Sequence, residues 1–340
     1  MQGAYRLLLA MLVVVHHLAH DYAWFAGNFA VLGFYALSGY LITLTLRRNY
    51  TATLDGLWRF GLNRFLRIFP AYWTVLAIAV PAVLLFPAYA ATVNPVMSDP
   101  ASGRFGWLGW LPQVTMVGLQ VPPGLLWPER VIPPAWSTAI ELYFYFFLFL
   151  SCFIPDRSFR WVCLSSLAVG IACAATGAAQ WTYTSLPGVS VLFAAGSLAY
   201  RERALLDRLR ASMPWLTQLI IALFIVVAFA PDLYHPLRDE IYLVWMQYAA
   251  APLVAYLAFS TVSCPLQLPL SRWMGDMAYP VFLAHFPMAV WMKAAGLQGA
   301  IWFVASVSAT LALSIFVVAF VEHPVATLRA RVRAGDWDNG

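Results

Sequence analysis

The chain has 340 residues, of which 62% are hydrophobic and only 10% are charged, and its formal net charge is +5. Soluble proteins carry roughly 25% charged residues, so this composition excludes a soluble enzyme and predicts an all-α protein that crosses a membrane several times. The positive charge does not indicate nucleic-acid binding, because membrane topology explains the positions of the basic residues.

Residues 5–22 form the first hydrophobic stretch, YRLLLAMLVVVHHLAHDY. The apolar run continues into polar groups without a small-residue cleavage site, so we predict a retained span and not a signal peptide. Arg6 and His17 are eleven residues apart, close to three helical turns, which puts them on one face and about 16 Å apart along the axis. Ionisable groups inside a span are costly and therefore point to function.

The end of this stretch also has the spacing of metal ligands. His16 with His20, or His17 with Asp21, forms an i, i+4 pair that can share a metal ion. No third ligand is evident in the sequence, and the four cysteines lack the spacing of a metal or disulfide framework. We therefore predict no metal site.

About ten hydrophobic segments have the roughly 20 residues that a membrane-spanning helix requires. Residues 105–121 are also apolar, but Gly and Pro interrupt them, so we predict a re-entrant or interfacial segment there. The predicted spans are 7–27, 29–46, 69–91, 135–154, 161–180, 187–200, 214–230, 241–262, 276–295 and 299–321.

The distribution of basic residues sets the orientation. With the N-terminus in the cytoplasm, 16 of the 20 Lys and Arg residues fall on the cytoplasmic side, as the positive-inside rule requires. The sequence therefore predicts two cytoplasmic termini, a membrane domain over residues 1–325 and a short basic cytoplasmic tail over residues 326–340.

The predicted inner loop, residues 47–68, has apolar residues at helical spacing with arginines among them. This pattern predicts an amphipathic helix in the inner interface, followed by a span that has Pro70 in its first turn. Arg64 and Arg67 are three residues apart and project to the same side. They are either topological charges that contact lipid headgroups or a clamp for phosphate, which guanidinium groups bind well.

Polar groups recur in three later spans. Ser137 and Glu141 lie on one helix face near the outer end of the fourth span. Glu141 is either a structural partner of an arginine or tyrosine, or a group that orients a histidine or binds a polar substrate. His285, deep in the ninth span, is either a helix–helix contact or a weaker site candidate. Glu322 and His323 are predicted to cap the last turn of the final span.

These stretches resemble, in order along the chain, the motifs of the membrane-bound acyltransferase family 3, whose bacterial members O-acylate surface polysaccharides, peptidoglycan, Nod factors and macrolides. The departures are small: Thr138 replaces a leucine and Ala278 a serine, and the spacing of ten residues selects His17 over His16. The matching stretches are Arg6-x10-His17, FYALSGYLI at 34–42, RFLRIFPAY at 64–72, WSTAIELYFY at 136–145 and GDMAYPVFLAH at 275–285.

The resemblance implies an acyltransferase of the bacterial cytoplasmic (inner) membrane. Its donor would be cytoplasmic acyl-CoA, with acetyl-CoA expected, and its acceptor would be a hydroxyl group of a surface or secreted polysaccharide. The implied partners are acyl-CoA, a carbohydrate acceptor and the lipid bilayer, and a homodimer is left open. Because no hydrolase-like domain is fused to the chain, the stand-alone form of the family is expected.

The resemblance also implies roles for individual residues. His17 would be the general base, since an imidazole titrates near neutral pH, with Arg6 and Glu141 as further catalytic residues. Arg64 and Arg67, with Arg6, would bind the phosphates of acyl-CoA. Direct transfer and a transient acyl-enzyme are both compatible with the sequence. The residues expected to bind the acceptor are Trp136, Ser137 and His285.

Other functions stay open at this point. Buried His, Arg and Glu residues also suit a proton-coupled transporter or flippase, although the two halves of the chain show no internal repeat of the kind many transporters have. O-acylation of a small, macrolide-like acceptor is a further alternative. A non-catalytic scaffold leaves the Arg6–His17 spacing and the arginine pair unexplained.

Overall fold

The computed structural model describes residues 1–19, 26–97, 106–120, 130–176, 182–234, 240–264 and 269–334. All regular secondary structure within these ranges is helical, which confirms the predicted all-α class. The helices are α1 (Gln2–Leu18), α2 (Ala26–Asn49), α3 (Leu54–Leu85), α4 (Pro87–Val93), α5 (Gly106–Thr115), α6 (Ala135–Cys152), α7 (Asp156–Ala175), α8 (Leu186–Arg201), α9 (Arg203–Ser212), α10 (Leu216–Leu233), α11 (Glu240–Val262), α12 (Pro269–Ala294), α13 (Gly299–Val317) and α14 (His323–Ala334).

Several of these helices are candidates for membrane spans. In the described part of the chain, five are long and apolar enough to cross a bilayer: α2, α3, α6, α7 and the continuous helix of α13 and α14. A sixth is obtained if α9 and α10, which meet at a bend of 102°, form one span. The protein is therefore a multi-pass membrane protein, while the count of about ten spans and the cytoplasmic termini stay predictions.

The chain divides into two compact units. The first unit comprises residues 1–53 and 140–272, and the second comprises residues 54–139 and 273–340. Helices α6 and α12 each contribute residues to both units.

In the first unit, α2 is the central helix and packs against α1, α8 and α11. The approach of α2 to α8 depends on two glycines, because a Cβ atom at Gly39 would collide with the Phe193 carbonyl and one at Gly196 with the Ala36 carbonyl. Small residues allow such close approach between helices in a membrane. Gly39 of the 34–42 motif is therefore explained by packing.

Helix α1 lies along α2 in the same unit. The position of Gly33 faces the Leu9 side chain, and that of Gly27 faces the imidazole of His16. At the start of α1, the backbone amide of Gly3 donates a hydrogen bond to Ser271 Oγ at 3.1 Å. This bond satisfies one of the amides that the first helical turn leaves without an intrahelical partner.

In the second unit, α3 runs without interruption from Leu54 to Leu85. The predicted amphipathic segment and the third span are thus one helix, residues 47–49 belong to α2, and the interfacial position stays a prediction. Pro70 lies in the helix interior and not in a first turn. The proline removes one backbone hydrogen bond there, and the Thr74 hydroxyl donates to the Pro70 carbonyl at 2.8 Å.

Helix α5 is attached to α3 by two side chains. The Tyr72 hydroxyl donates to the Gln113 carbonyl, and Trp73 Nε1 donates to the Val114 carbonyl at 2.9 Å. A helix of 10 residues rises about 15 Å, which is half of the roughly 30 Å hydrocarbon core. The described part of α5 is thus too short to cross the bilayer.

The last helix does not end at Glu322 and His323. A π-helical turn over Val318–Glu322 connects α13 directly to α14, so the prediction that these two residues cap a final turn is wrong. Residues 326–334 of the predicted tail belong to α14. This helix is docked on α3, where Asn63 Nδ2 donates to the Arg329 carbonyl at 3.0 Å.

Gly196→Ala is expected to destabilise the protein, because the added methyl group collides with the Ala36 carbonyl and overpacking costs about 1–3 kcal/mol. Thermal unfolding of the purified protein in detergent should show a lower apparent Tm.

Gly61→Ala is the matched control. Among the described residues, nothing lies within 4 Å of a Cβ at Gly61, and alanine favours a helix by about 1 kcal/mol. Its Tm should equal or exceed that of the wild type. A wild-type Tm for Gly196→Ala would contradict the close packing of α2 on α8.

Candidate functional site

Helix α1 carries the predicted Arg6–His17 pair on one uninterrupted helix. His16 is buried against Gly27 of α2, whereas His17 is half-buried, and the two imidazole centroids are 4.8 Å apart. Of the two adjacent histidines, His17 is thus the more exposed within the described residues. His20 and Asp21, the second members of the two possible metal pairs, lie outside the described residues.

Glu141 of α6 is held by α2 in the first unit. Ser38 Oγ of α2 donates a hydrogen bond to Glu141 Oε1. A bond to an ionised acceptor is stronger than one between neutral groups, so Ser38 fixes the position of this carboxylate. Ser38 was absent from the predicted site residues, and the signal that could have revealed it is its place in the 34–42 motif.

Tyr35 and Phe144 each lie three residues from a member of the Ser38–Glu141 pair, and both contact the Phe193 ring. The Tyr35 ring lies 4.8 Å from the Phe193 ring, which stacks on Phe144 at 4.0 Å. The Tyr35 hydroxyl is buried, has no hydrogen-bond partner within the described residues and interacts electrostatically with Glu141. The family motif has phenylalanine at the position of Tyr35, so this chain adds a hydroxyl group beside the carboxylate.

Arg201 has a structural role that no sequence pattern singled out. Its guanidinium donates to the Ser151 carbonyl at 2.8 Å and to the Ile154 carbonyl at 2.9 Å, which satisfies carbonyls at the end of α6. It also forms an ion pair with Asp156 at 2.7 Å and lies over the Phe159 ring at 3.9 Å. Arg201 therefore ties the ends of α6 and α8 together.

In the second unit, Arg67 forms a buried ion pair with Glu322. The two side chains are 12% and 6% exposed, and Asp276 Oδ1 lies 3.6 Å from the Arg67 guanidinium. The π-helical turn that ends at Glu322 changes the direction of the following side chains, and such turns are frequent at functional sites. Arg64, one turn before Arg67, lies over the Phe60 ring at 5.4 Å.

The residues predicted to bind the acceptor are also placed in the second unit. Ser137 is buried, and its hydroxyl donates to the Pro134 carbonyl at 3.0 Å within the first turn of α6. Trp136 is half-buried. His285 is fully buried in α12, with its ring centroid 4.5 Å from that of Phe286. A role of these three residues in acceptor binding stays a prediction.

A family model described as an acyltransferase domain matches residues 4–321. The chain belongs to this acyltransferase family. The match covers nearly the whole chain and confirms the resemblance on which the sequence motifs depend. The chain is therefore a multi-pass membrane member of the acyltransferase family.

One curated relative is the protein YrhL of Bacillus subtilis (strain 168). Its name describes it as a candidate peptidoglycan O-acetyltransferase. The two sequences are 24% identical over 316 residues, which is 84% of this chain and 48% of the relative. The chain thus spans about half the length of the curated relative it matches. No solved structure matches the chain significantly.

Glu322→Ala is expected to lower the apparent Tm strongly, because removing one partner of a buried ion pair costs about 3–5 kcal/mol. The double variant Arg67→Ala/Glu322→Ala should lose less than the sum of the single variants, since the pair acts as a unit.

Asp55→Ala is the control for this measurement. It removes the Arg59–Asp55 pair, in which the atoms are 3.4 Å apart and the aspartate is 66% exposed, and exposed pairs contribute only about 0.2–1 kcal/mol. Equal Tm values for Glu322→Ala and Asp55→Ala would show that the Arg67–Glu322 pair is not buried as described.

Proposed function

We propose that this protein is an O-acyltransferase of the bacterial inner membrane that moves an acyl group, expected to be acetyl, from cytoplasmic acyl-CoA to a hydroxyl group of a surface or secreted polysaccharide. The observation that carries the proposal is the placement of Arg6 and His17 on one face of the continuous helix α1, inside the region that matches the acyltransferase family. The name of the B. subtilis relative supports transfer to oxygen.

The reaction needs a base, a donor site and stabilisation of an oxyanion. The acceptor hydroxyl oxygen attacks the thioester carbonyl while His17 removes the hydroxyl proton. The tetrahedral intermediate then collapses, the carbon–sulfur bond breaks, and the proton on His17 passes to the departing CoA sulfur. The products are an ester and free CoA, and an imidazole suits both proton transfers because its pKa lies near neutrality.

The phosphates of the donor are assigned to the arginines of α3. Guanidinium groups present paired N–H donors that match the oxygens of a phosphate, and CoA carries several phosphates. Arg64 and Arg67 project to the same side of α3, and Glu322 and Asp276 orient the Arg67 side chain. Arg6, near the start of α1, is assigned to the same donor by the family resemblance alone.

Glu141 is assigned to the acceptor side of the reaction. It either orients His17 or accepts a hydrogen bond from a sugar hydroxyl. Ser38 holds the carboxylate in one position. Both roles require a fixed carboxylate, so both depend on Ser38.

The proposal is tested by proton NMR of the purified extracellular and envelope glycans of the host. A deletion strain carries wild type, His17→Ala, His16→Gln or an empty vector, with the amount of protein in the membrane matched. We expect an O-acyl signal with wild type and His16→Gln, and a loss of at least about 100-fold with His17→Ala, the scale of a removed general base.

Two outcomes would contradict the proposal. An O-acyl signal that persists with His17→Ala would remove His17 as the base. Identical glycans in the wild-type and empty-vector strains would rule out the assignment of a polysaccharide as the acceptor.

Ser38→Ala is expected to lower the O-acyl content of the same glycans about 10-fold or more, because a hydrogen bond to a charged group contributes about 1.5–3 kcal/mol. Ser197→Ala is the matched control, since it removes a different buried bond of α2, to Thr43 Oγ1 at 2.7 Å. A normal O-acyl content with Ser38→Ala would show that the Ser38–Glu141 bond does not support the reaction.

A further inference from the structure

Arg329 lies on α14, beyond residues 4–321 that the family model matches. Its backbone is fixed, because its carbonyl accepts the hydrogen bond from Asn63, a fully buried residue of α3. One turn before Asn63, Arg59 donates to the carbonyl oxygens of Val332 and Arg333. Helix α14 is thus held along one side of α3 by side chains four residues apart.

The same side of α3 carries Arg67. Arg59, Asn63 and Arg67 follow one another at intervals of four residues, and such residues are neighbours on a helix surface. The residues that dock α14 are therefore continuous with the arginine that the proposed function assigns to the donor. Because α14 is docked on this side of α3, Arg329 lies within electrostatic range of Arg64 and Arg67.

The result is an excess of positive charge in the second unit. The Arg329 guanidinium interacts electrostatically with Arg64, Arg67, Arg333 and Glu322, and Arg67 also faces Asp276. Four guanidinium groups therefore share two carboxylates in this cluster. Like charges repel one another, so the cluster favours an anion that offers several oxygens.

The Arg329 side chain itself indicates a ligand. Its Nε atom is buried and makes no hydrogen bond within the part of the chain that the structure describes. A basic residue placed only for membrane topology needs no such burial, and Arg331 on the same helix is exposed. The burial of the Arg329 Nε atom is therefore not explained by the positive-inside rule.

We propose that Arg329 is the third arginine, with Arg64 and Arg67, of a phosphate-binding site formed by α3 and α14. The phosphate belongs either to CoA or to an anionic lipid headgroup, and the assignment to CoA rests on the proposed function. The C-terminal helix thereby contributes a binding residue, although the sequence pattern places it in a short cytoplasmic tail.

The test uses the purified full chain in nanodiscs of phosphatidylcholine, which offer no anionic headgroup. Binding of acetyl-CoA is measured by titration calorimetry for wild type, Arg64→Gln, Arg329→Gln and the matched control Arg331→Gln. We expect Arg329→Gln to raise the Kd about 10- to 100-fold, the scale of a lost charged hydrogen bond, and Arg331→Gln to stay within about twofold of wild type.

A second arm tests the lipid source. In nanodiscs that contain phosphatidylglycerol, native mass spectrometry counts the anionic lipids that each variant retains. Loss of retained phosphatidylglycerol in Arg329→Gln but not in Arg331→Gln, with unchanged acetyl-CoA binding, would assign the site to a headgroup phosphate.

The variants also separate the two proposals. If Arg64→Gln weakens acetyl-CoA binding while Arg329→Gln changes neither acetyl-CoA nor lipid binding, the role of Arg329 is overturned and the proposed function stands. If folded wild type binds no acetyl-CoA, the donor assignment fails, and the lipid arm alone decides on Arg329. Arg329→Lys keeps the positive charge and is expected to have the Tm of the wild type. Weaker binding in this folded variant is then a loss of binding and not a loss of folding.

Discussion

A charged side chain in a low-dielectric environment costs free energy unless protein groups replace the water it has lost. The described residues meet this constraint in three ways: Arg201 binds the carbonyls at the end of α6, Ser38 donates to Glu141, and Glu322 pairs with Arg67. In each case the partner comes from another helix. The charges therefore connect helices as well as serving chemistry.

Helix packing also positions residues of the candidate site. Glycines at 39 and 196 let α2 approach α8 so closely that side chains larger than hydrogen do not fit. Ser38 lies next to Gly39, so this contact also fixes the residue that holds Glu141. In the second unit, the docking of α14 on α3 also positions a candidate site residue, because the side of α3 that binds α14 through Arg59 and Asn63 continues to Arg67.

Periodicity and motifs in the sequence predicted the all-α class, the family and the helix that carries Arg6 and His17. They did not predict that α3 is continuous, because arginines followed by an apolar run resemble an interfacial helix that precedes a span. They also missed the Arg67–Glu322 pair, whose members are 255 residues apart, since helical spacing identifies a face and not the helix that packs against it. Ser38 was missed as a partner of Glu141 for the same reason.

Transfer of an acyl group from CoA to a glycan hydroxyl is tested most directly with the purified protein in proteoliposomes. These are supplied with acetyl-CoA labelled in the acetyl group and with de-O-acylated glycan from the host. Label that enters the glycan with wild type, is released by mild alkali as an ester would be, and does not enter with His17→Ala is the predicted result. Glycan that stays unlabelled while the folded wild-type protein binds acetyl-CoA would contradict O-acylation of that polysaccharide.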